Sequence, residues 1–174
     1  MPKLIVDNEE IIKYIPQQRE DGNSVLLTNT DMTPVVSICS KERIIHYLEK
    51  AIVCFAAEPI IETLHSNIIF CGNHKTVSCL NYSMHTIVHE GIQNTCDTLM
   101  EATRTFEEIS VIISLGVLDA FYNPSSTSLG GMTTRELLYF IRRLRYIKNI
   151  TSWAIIDCTN ENIKLAGILA AEML

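Results

Sequence analysis

Short apolar runs alternate with polar turns along the chain, and these runs predict the strands of the fold. Residues 67–72 and 109–114 are rich in β-branched and aromatic side chains, and each run predicts a buried strand. Residues 25–27, which follow turn residues 21–23, predict an early strand, and residues 153–156 predict the last one. Runs that are apolar at nearly every position are typical of a parallel sheet that is buried on both faces.

Helical spacing of apolar residues predicts the segments between these strands. Ser40 can cap an early helix, and residues 88–106 predict a second one. The apolar stripe of the early helix consists of Ile44, Tyr47, Leu48, Ala51, Ile52 and Phe55. Thr133 and Glu136 have the spacing of a capping box, which predicts the start of a third helix, and residues 161–174 predict the closing helix.

Strands that alternate with helices predict an α/β fold. The expected architecture is a three-layer αβα sandwich with a mostly parallel sheet, built as a single domain over residues 1–174. The chain is 47% hydrophobic and 20% charged, so it has enough apolar material for a substantial core.

The net charge disfavours some classes of partner, and the cysteine pattern indicates the cellular compartment. The net charge of −6 disfavours nucleic acid and anionic membranes as general partners. No apolar run reaches the ~20 residues of a membrane span, and the acidic N-terminus differs from a signal peptide. The six cysteines lie mostly within apolar runs and lack the spacing of a disulfide framework. We therefore expect a cytoplasmic protein with reduced core thiols.

Three segments carry a family resemblance. Residues 119–124, DAFYNP, and 130–137, GGMTTREL, together resemble the "LDPxxxP…GGLTxRE" stretch of the ureohydrolases, the family of arginase and agmatinase. Residues 70–75, FCGNHK, are similar to the family's "GGDHS", and residues 82–87, YSMHTI, are similar to its "DAHTD". The resemblance is clearest over residues 66–174 and implies a reduced arginase-like fold.

The resemblance also implies where a metal site would lie. Active ureohydrolases hold hydroxide between two manganese ions, and two close dications need several carboxylates to offset their charge. The family's two histidine ligands match His74 and His85. Its metal-binding aspartates match only neutral residues, which are Ser83, Ile87, Ser114 and Gly116. The aspartate of "GGDHS" is Asn73, and the acidic residue of the last strand falls near Asp157.

Shifting the alignment within the run at residues 109–114 does not recover the missing pair of carboxylates. No aspartate or glutamate lies between Glu108 and Asp119. The matching residues therefore predict that metal, nucleophile and catalytic residues are lost together, and that the protein binds no cofactor.

The preferred function is that of a catalytically inactive pseudoenzyme, a structural or regulatory subunit of a protein assembly. A shortened fold exposes apolar faces, which favours a protein partner or a homo-oligomer. One alternative is a metal-dependent amidinohydrolase-like hydrolase with unorthodox ligands. Another is a sensor that keeps a vestigial pocket for a guanidino compound or an amino acid.

The remaining motif residues are expected to be structural. Asp119 would fix its loop by accepting backbone hydrogen bonds, and the glycine pair would relax a tight turn. The structural set comprises Asp119, Pro124, Gly130, Gly131, Thr133, Arg135 and Glu136.

Other chemistry is less favoured by the residue spacing. A zinc set of Cys71, His74, Cys79 and His85 lacks the spacing of a standard finger, so core thiols and leftover histidines are preferred. A nucleophile–base pair of His74 with one of these cysteines is weaker still. The cations of residues 142–148 favour a solvated helix face over a phosphate or RNA site.

Overall fold

A seven-stranded parallel sheet organises the part of the chain that the structure describes. The computed structural model describes residues 3–6, 35–38, 51–58, 67–75, 77–126 and 129–173. The strands are β1 Lys3–Val6, β2 Val35–Ile38, β3 Ala51–Phe55, β4 Ile68–Cys71, β5 Leu80–Tyr82, β6 Ile109–Ser114 and β7 Ile150–Ile156. Their order in the sheet is β1-β2-β7-β6-β3-β4-β5, and every described pair is parallel.

Four α-helices lie within the described residues, and they connect or follow these strands. They are α1 Met84–Glu90, α2 Ile92–Thr103, α3 Thr134–Leu144 and α4 Ile163–Met173. A 3-10 helix, Leu115–Val117, follows β6 directly. Within the described residues, no helix has the length and apolar character needed to cross a membrane.

The central strands are buried on both faces. Every residue of β3, β4 and β6 is buried, so these strands lack the alternation of apolar and polar residues seen in half-exposed sheets. The register places Val53 beside both Ile69 and Val111 on one face. All four helices pack on that face, where the rings of Phe55 and Phe140 meet edge to face with centroids 5.4 Å apart.

The opposite face of the sheet is buried as well. Its cluster consists of Ile52, Cys54, Ala56, Ile68, Phe70, Ile112, Ala154 and Ile156. Burial of both faces is what the predicted αβα sandwich requires. The structure confirms the predicted α/β class and the parallel sheet.

Several predicted elements lie where the apolar pattern put them. The strands at residues 67–72, 109–114 and 153–156 correspond to β4, β6 and β7, and the closing helix corresponds to α4. The capping box is present: the Thr133 hydroxyl accepts from the backbone N–H of Glu136 at 3.1 Å, and the Glu136 carboxylate accepts from that of Thr133 at 2.8 Å. The early strand at residues 25–27 lies outside the described residues.

Two helix predictions were wrong in their bounds or type. Ala51, Ile52 and Phe55 lie in strand β3, not in a helix, because a run of buried apolar residues fits both periodicities and the parallel neighbours decide for the strand. The first part of that stripe lies outside the described residues. The helix predicted for residues 88–106 is two helices that meet at Gly91, whose φ of 83° ends α1. Strand β5 was not predicted.

Candidate functional site

The carboxyl ends of the strands bring the family-like residues to one edge of the sheet. Residues 72–75 follow β4, Ser83 follows β5, Ser114 ends β6 and Asp157 follows β7. Parallel strands all end at the same edge, so segments far apart in the sequence meet there.

A cleft of about 330 Å³ opens at this edge. Its described lining residues are Asn73, His74, Lys75, Val77, Asn81, Ser83 and His85. The structure therefore brings together His74, His85 and Ser83, three of the positions matched to the family's metal ligands. None of the described lining residues carries a carboxylate.

Gly72 allows the turn that leads from β4 to the cleft residues. Its φ is 82°, which side chains rarely adopt, and a Cβ there would lie 2.7 Å from Cγ2 of Val117. The glycine thus lets the chain after β4 turn closely against the 3-10 helix. The turn continues with hydrogen bonds from the backbone N–H of His74 to the carbonyl of Ala57, 3.1 Å, and from that of Met84 to the carbonyl of Asn73, 3.1 Å.

Two asparagines leave unsatisfied polar atoms beside the cleft. Asn73 is completely buried, and Nδ2 of Asn81 donates to its Oδ1 at 3.2 Å and to the carbonyl of Lys75 at 3.5 Å. Among the described residues, neither Nδ2 of Asn73 nor Oδ1 of Asn81 has a hydrogen-bond partner. An unsatisfied buried amide costs roughly 1–3 kcal/mol, so both atoms favour a partner that enters the cleft.

Ser83, His85 and Ile87, which match family ligand positions, have different surroundings at helix α1. The Ser83 hydroxyl caps the helix by accepting from the backbone N–H of Thr86 at 3.1 Å. His85 is exposed, and its ring centroid lies 4.1 Å from that of His89. Ile87 is only 2% exposed and packs in the core beneath the helices, where an aspartate of "DAHTD" would be expected.

Ser114 and Gly116 are the positions that the resemblance matches to the second pair of family carboxylates. Ser114 is nearly buried, and its hydroxyl donates to the carboxylate of Asp157. Gly116 lies within the 3-10 helix. Asp157 has a φ of 62°, the one non-glycine residue with positive φ among those described, so the chain bends sharply where β7 ends.

Two buried asparagines that the motif comparison did not single out hold this edge together. Nδ2 of Asn162 donates to the carbonyl of Asp157 at 3.1 Å and to Oδ1 of Asn123 at 3.3 Å. Nδ2 of Asn123 in turn donates to the carbonyl of Leu115 at 2.8 Å. The network ties the ends of β6 and β7 to the loop that follows. Asn123 lies within DAFYNP, but only the tertiary contacts show its role.

These residues do not fit a pair of manganese ions. Hard dications favour carboxylate oxygens, whereas the cleft offers imidazoles, amides, a hydroxyl and the ammonium of Lys75. Over the described stretches, no three His, Cys, Asp or Glu side chains are grouped closely enough to share a metal ion. The mismatch lies in the chemistry of the donors and is greatest at Ile87, which faces the core.

The cysteines near the cleft do not lie on the same face of the sheet either. Cys71 is buried on the helical face of the sheet, whereas Cys79 packs against the opposite cluster. Burial raises the pKa of Cys71 well above its usual range and raises the pKa of Cys54 to about 12. Both buried thiols therefore stay protonated at neutral pH, which disfavours them as nucleophiles.

Asp119 anchors the loop that carries the strongest motif. Its carboxylate accepts from the backbone N–H groups of Phe121 at 2.9 Å, Gly130 at 2.7 Å and Gly131 at 3.2 Å. These bonds, first of all the one from Phe121, lower the pKa of Asp119. Gly131 allows the close approach, because a Cβ there would lie 2.8 Å from the backbone nitrogen of Asp119. Pro124 and Arg135 are exposed.

Comparisons with known proteins agree with this architecture. A model of the arginase family matches residues 41–162, which extends the predicted resemblance toward the N-terminus. The structure of the Bacillus subtilis arginase is similar with a TM-score of 0.69 at 15% identity, over 82% of this chain and 72% of that one. A search of curated protein sequences gives no match.

Further solved structures show the same likeness. The Entamoeba histolytica arginase, in complex with L-ornithine, gives a TM-score of 0.66 at 12% identity over 83% of this chain and 70% of that one. The Bacillus subtilis formimidoylglutamase gives 0.65 at 14% identity, over 81% and 60%. At these identities the structures establish the fold alone, and they confirm the predicted arginase-like arrangement.

Replacing Ile87 by aspartate tests the orientation of α1. Ile87→Asp should lower the free energy of unfolding by roughly 3–5 kcal/mol, because it places an unpaired carboxylate in the core. The neighbouring Val88 is 73% exposed, so Val88→Asp should change it by less than about 1 kcal/mol. Urea denaturation of both variants measures the difference. Equal stability of Ile87→Asp and the parent chain would mean that this side chain does not face the core.

The hydrogen bonds of Asp119 predict a pH-dependent contribution to stability. Because the folded pKa is lowered, the contribution is present above the unfolded value of about 3.9 and is lost as the pH falls through the folded pKa. Asp119→Asn should therefore lower the melting temperature at pH 7, and its deficit should shrink at pH 3. Glu107→Gln, at an exposed turn, serves as the control. A deficit that is equal at both pH values would contradict the role of the carboxylate charge.

Proposed function

This chain belongs to the arginase family, and from that premise we propose that it is a catalytically inactive member that serves as a structural or regulatory subunit of a protein assembly. The observation that carries the proposal is the set of neutral residues at the positions of the metal-binding aspartates. Ser83 caps a helix, Ile87 packs in the core, and Ser114 donates to Asp157. Each of these side chains therefore makes a contact that stabilises the fold.

The chemistry of the family depends on what these positions lack. A metal pair lowers the pKa of a bridging water, and it needs nearby anionic oxygens to offset a charge of +4. His74 and His85 supply imidazole nitrogens and no anionic oxygen, and Lys75 adds a positive charge to the same cleft. The balance of charge therefore favours a cleft without a metal pair.

The loop that Asp119 anchors supports a role in binding a protein. Phe121 is 86% exposed and Leu129 is 84% exposed. The carboxylate of Asp119 accepts hydrogen bonds from the backbone N–H groups of Phe121 and of Gly130, next to Leu129, so it fixes the backbone at or beside both apolar side chains. Exposed aromatic and aliphatic side chains on ordered backbone are typical of protein interfaces. A second copy of the chain is the simplest partner.

The runner-up function is a hydrolase of amidine bonds with unorthodox metal ligands. The observation in its favour is that His74 and His85 line one cleft. A sensor of a guanidino compound or an amino acid is a further candidate, because a cleft is present at the same edge of the sheet.

Metal content distinguishes the scaffold from the hydrolase. The full chain, expressed with added manganese and purified without chelators, should retain far less than one equivalent of manganese or zinc and release no urea from arginine or agmatine. An active arginase purified in parallel controls for metal loss. Near-stoichiometric metal that disappears in a His74→Ala, His85→Ala variant, together with hydrolysis, would establish the hydrolase instead.

The apolar loop predicts association through Phe121 and Leu129. The full chain should sediment as an oligomer, or co-purify from its native cell with another protein. The double variant Phe121→Ser, Leu129→Ser should shift this species toward the monomer. Val88→Ser alters another largely exposed apolar residue, on α1, and should leave association unchanged. A monomeric parent chain with no co-purifying protein would overturn the proposed assembly.

A further inference from the structure

The cleft at the carboxyl edge of the sheet has the electrostatic character of an anion site. Its described lining provides an ammonium on Lys75, amide groups on Asn73 and Asn81, a hydroxyl on Ser83 and two imidazoles, with no carboxylate. We infer that this cleft binds a small oxyanion, a carboxylate or a phosphate, and disfavours a guanidinium group. The resemblance to ureohydrolases implies the opposite preference, because their site is built to balance cations.

The buried amide of Asn73 supplies the specific donor. Asn81 uses its Nδ2 for Oδ1 of Asn73 and for the carbonyl of Lys75, which fixes the orientation of both amides. Nδ2 of Asn73 is then left buried beside the cleft without a partner among the described residues. A ligand oxygen would satisfy this donor. Such hydrogen bonds are stronger when the acceptor is charged.

The second unsatisfied atom narrows the ligand further. Oδ1 of Asn81 is a buried acceptor without a described partner, so it favours a ligand that also has a hydroxyl or amino group. Hydrogen phosphate and a hydroxy acid both combine an oxyanion with such a donor. A cleft of about 330 Å³ accommodates small molecules of this kind.

Lys75 is available to an anion because its present ion pair is weak. Nζ of Lys75 lies 3.1 Å from the carboxylate of Glu58, and both side chains are mostly exposed. Exposed pairs of this type contribute little, since water and salt screen them. An oxyanion that also binds Asn73 can therefore compete with Glu58. A guanidinium, in contrast, is repelled by the ammonium of Lys75, and the neighbouring carboxylate of Glu58 already pairs with that ammonium.

The inference rests on the proposed absence of a metal pair, because bound metals would attract anions by themselves. Binding is therefore measured with the full chain after treatment with EDTA. Isothermal titration compares sodium phosphate, sodium lactate and agmatine chloride at matched ionic strength. Phosphate or lactate should bind and raise the melting temperature, and agmatine should do neither.

Three variants and one control assign the binding to this cleft. Lys75→Gln should weaken phosphate binding about tenfold, and Glu58→Gln should strengthen it several-fold. Asn73→Asp is isosteric and replaces the donor with a carboxylate, so it should abolish anion binding. Lys148→Gln, beside another cleft at the opposite edge of the sheet, should have no effect. Circular dichroism checks that each variant is folded.

The outcomes separate this inference from the proposed function. Agmatine binding without anion binding, or phosphate binding that persists in both Lys75→Gln and Asn73→Asp, would overturn the oxyanion site. Metal-free protein that binds no anion would overturn the oxyanion site alone. Stoichiometric metal, with anion binding that EDTA abolishes, would overturn both the proposed function and this inference.

Discussion

Burial of the central strands on both faces is the constraint from which the rest of the structure follows. Strands β3, β4 and β6 are mostly apolar and are buried at every position, which requires a parallel sheet with both faces covered. Parallel pairing places all strand ends at one edge. The cleft, the serine at the end of β6 and the aspartate after β7 lie at the same edge of the sheet for this reason, although long segments of sequence separate them.

The same scaffold carries different electrostatics from those that the family motifs imply. The backbone turn after β4 and the start of α1 position side chains around a cleft, but the donors there are amides, imidazoles and an ammonium. Neutral residues at these positions fit the fold, because Ser83 and Ser114 make hydrogen bonds to Thr86 and Asp157 and Ile87 adds to the core. The catalytic site of such a fold can therefore change while the sheet and its helices persist.

The Asp119 loop shows which part of the motif the fold itself needs. Three backbone N–H groups donate to the one carboxylate of Asp119; Gly131 leaves room for this close approach, and Gly130 adopts a φ of 76°. At the positions matched to the metal ligands, the fold does not depend on a carboxylate in this way. The chain thus keeps the family's residues where the loop needs them for its structure. It differs from the family at the positions where only a metal ion would need a carboxylate.

The sequence by itself determined the α/β class, the strands β4, β6 and β7, the capping box of α3 and the family, because apolar periodicity and the loop motif are local signals. It also predicted which family positions hold neutral residues. Only the tertiary structure decided that residues 51–55 form a strand, since a short buried run suits helix and strand alike until its neighbours are present. The unsatisfied amides of Asn73 and Asn81 and the network of Asn123 and Asn162 also required the fold, because hydrogen bonds between distant segments leave no periodic trace in a sequence.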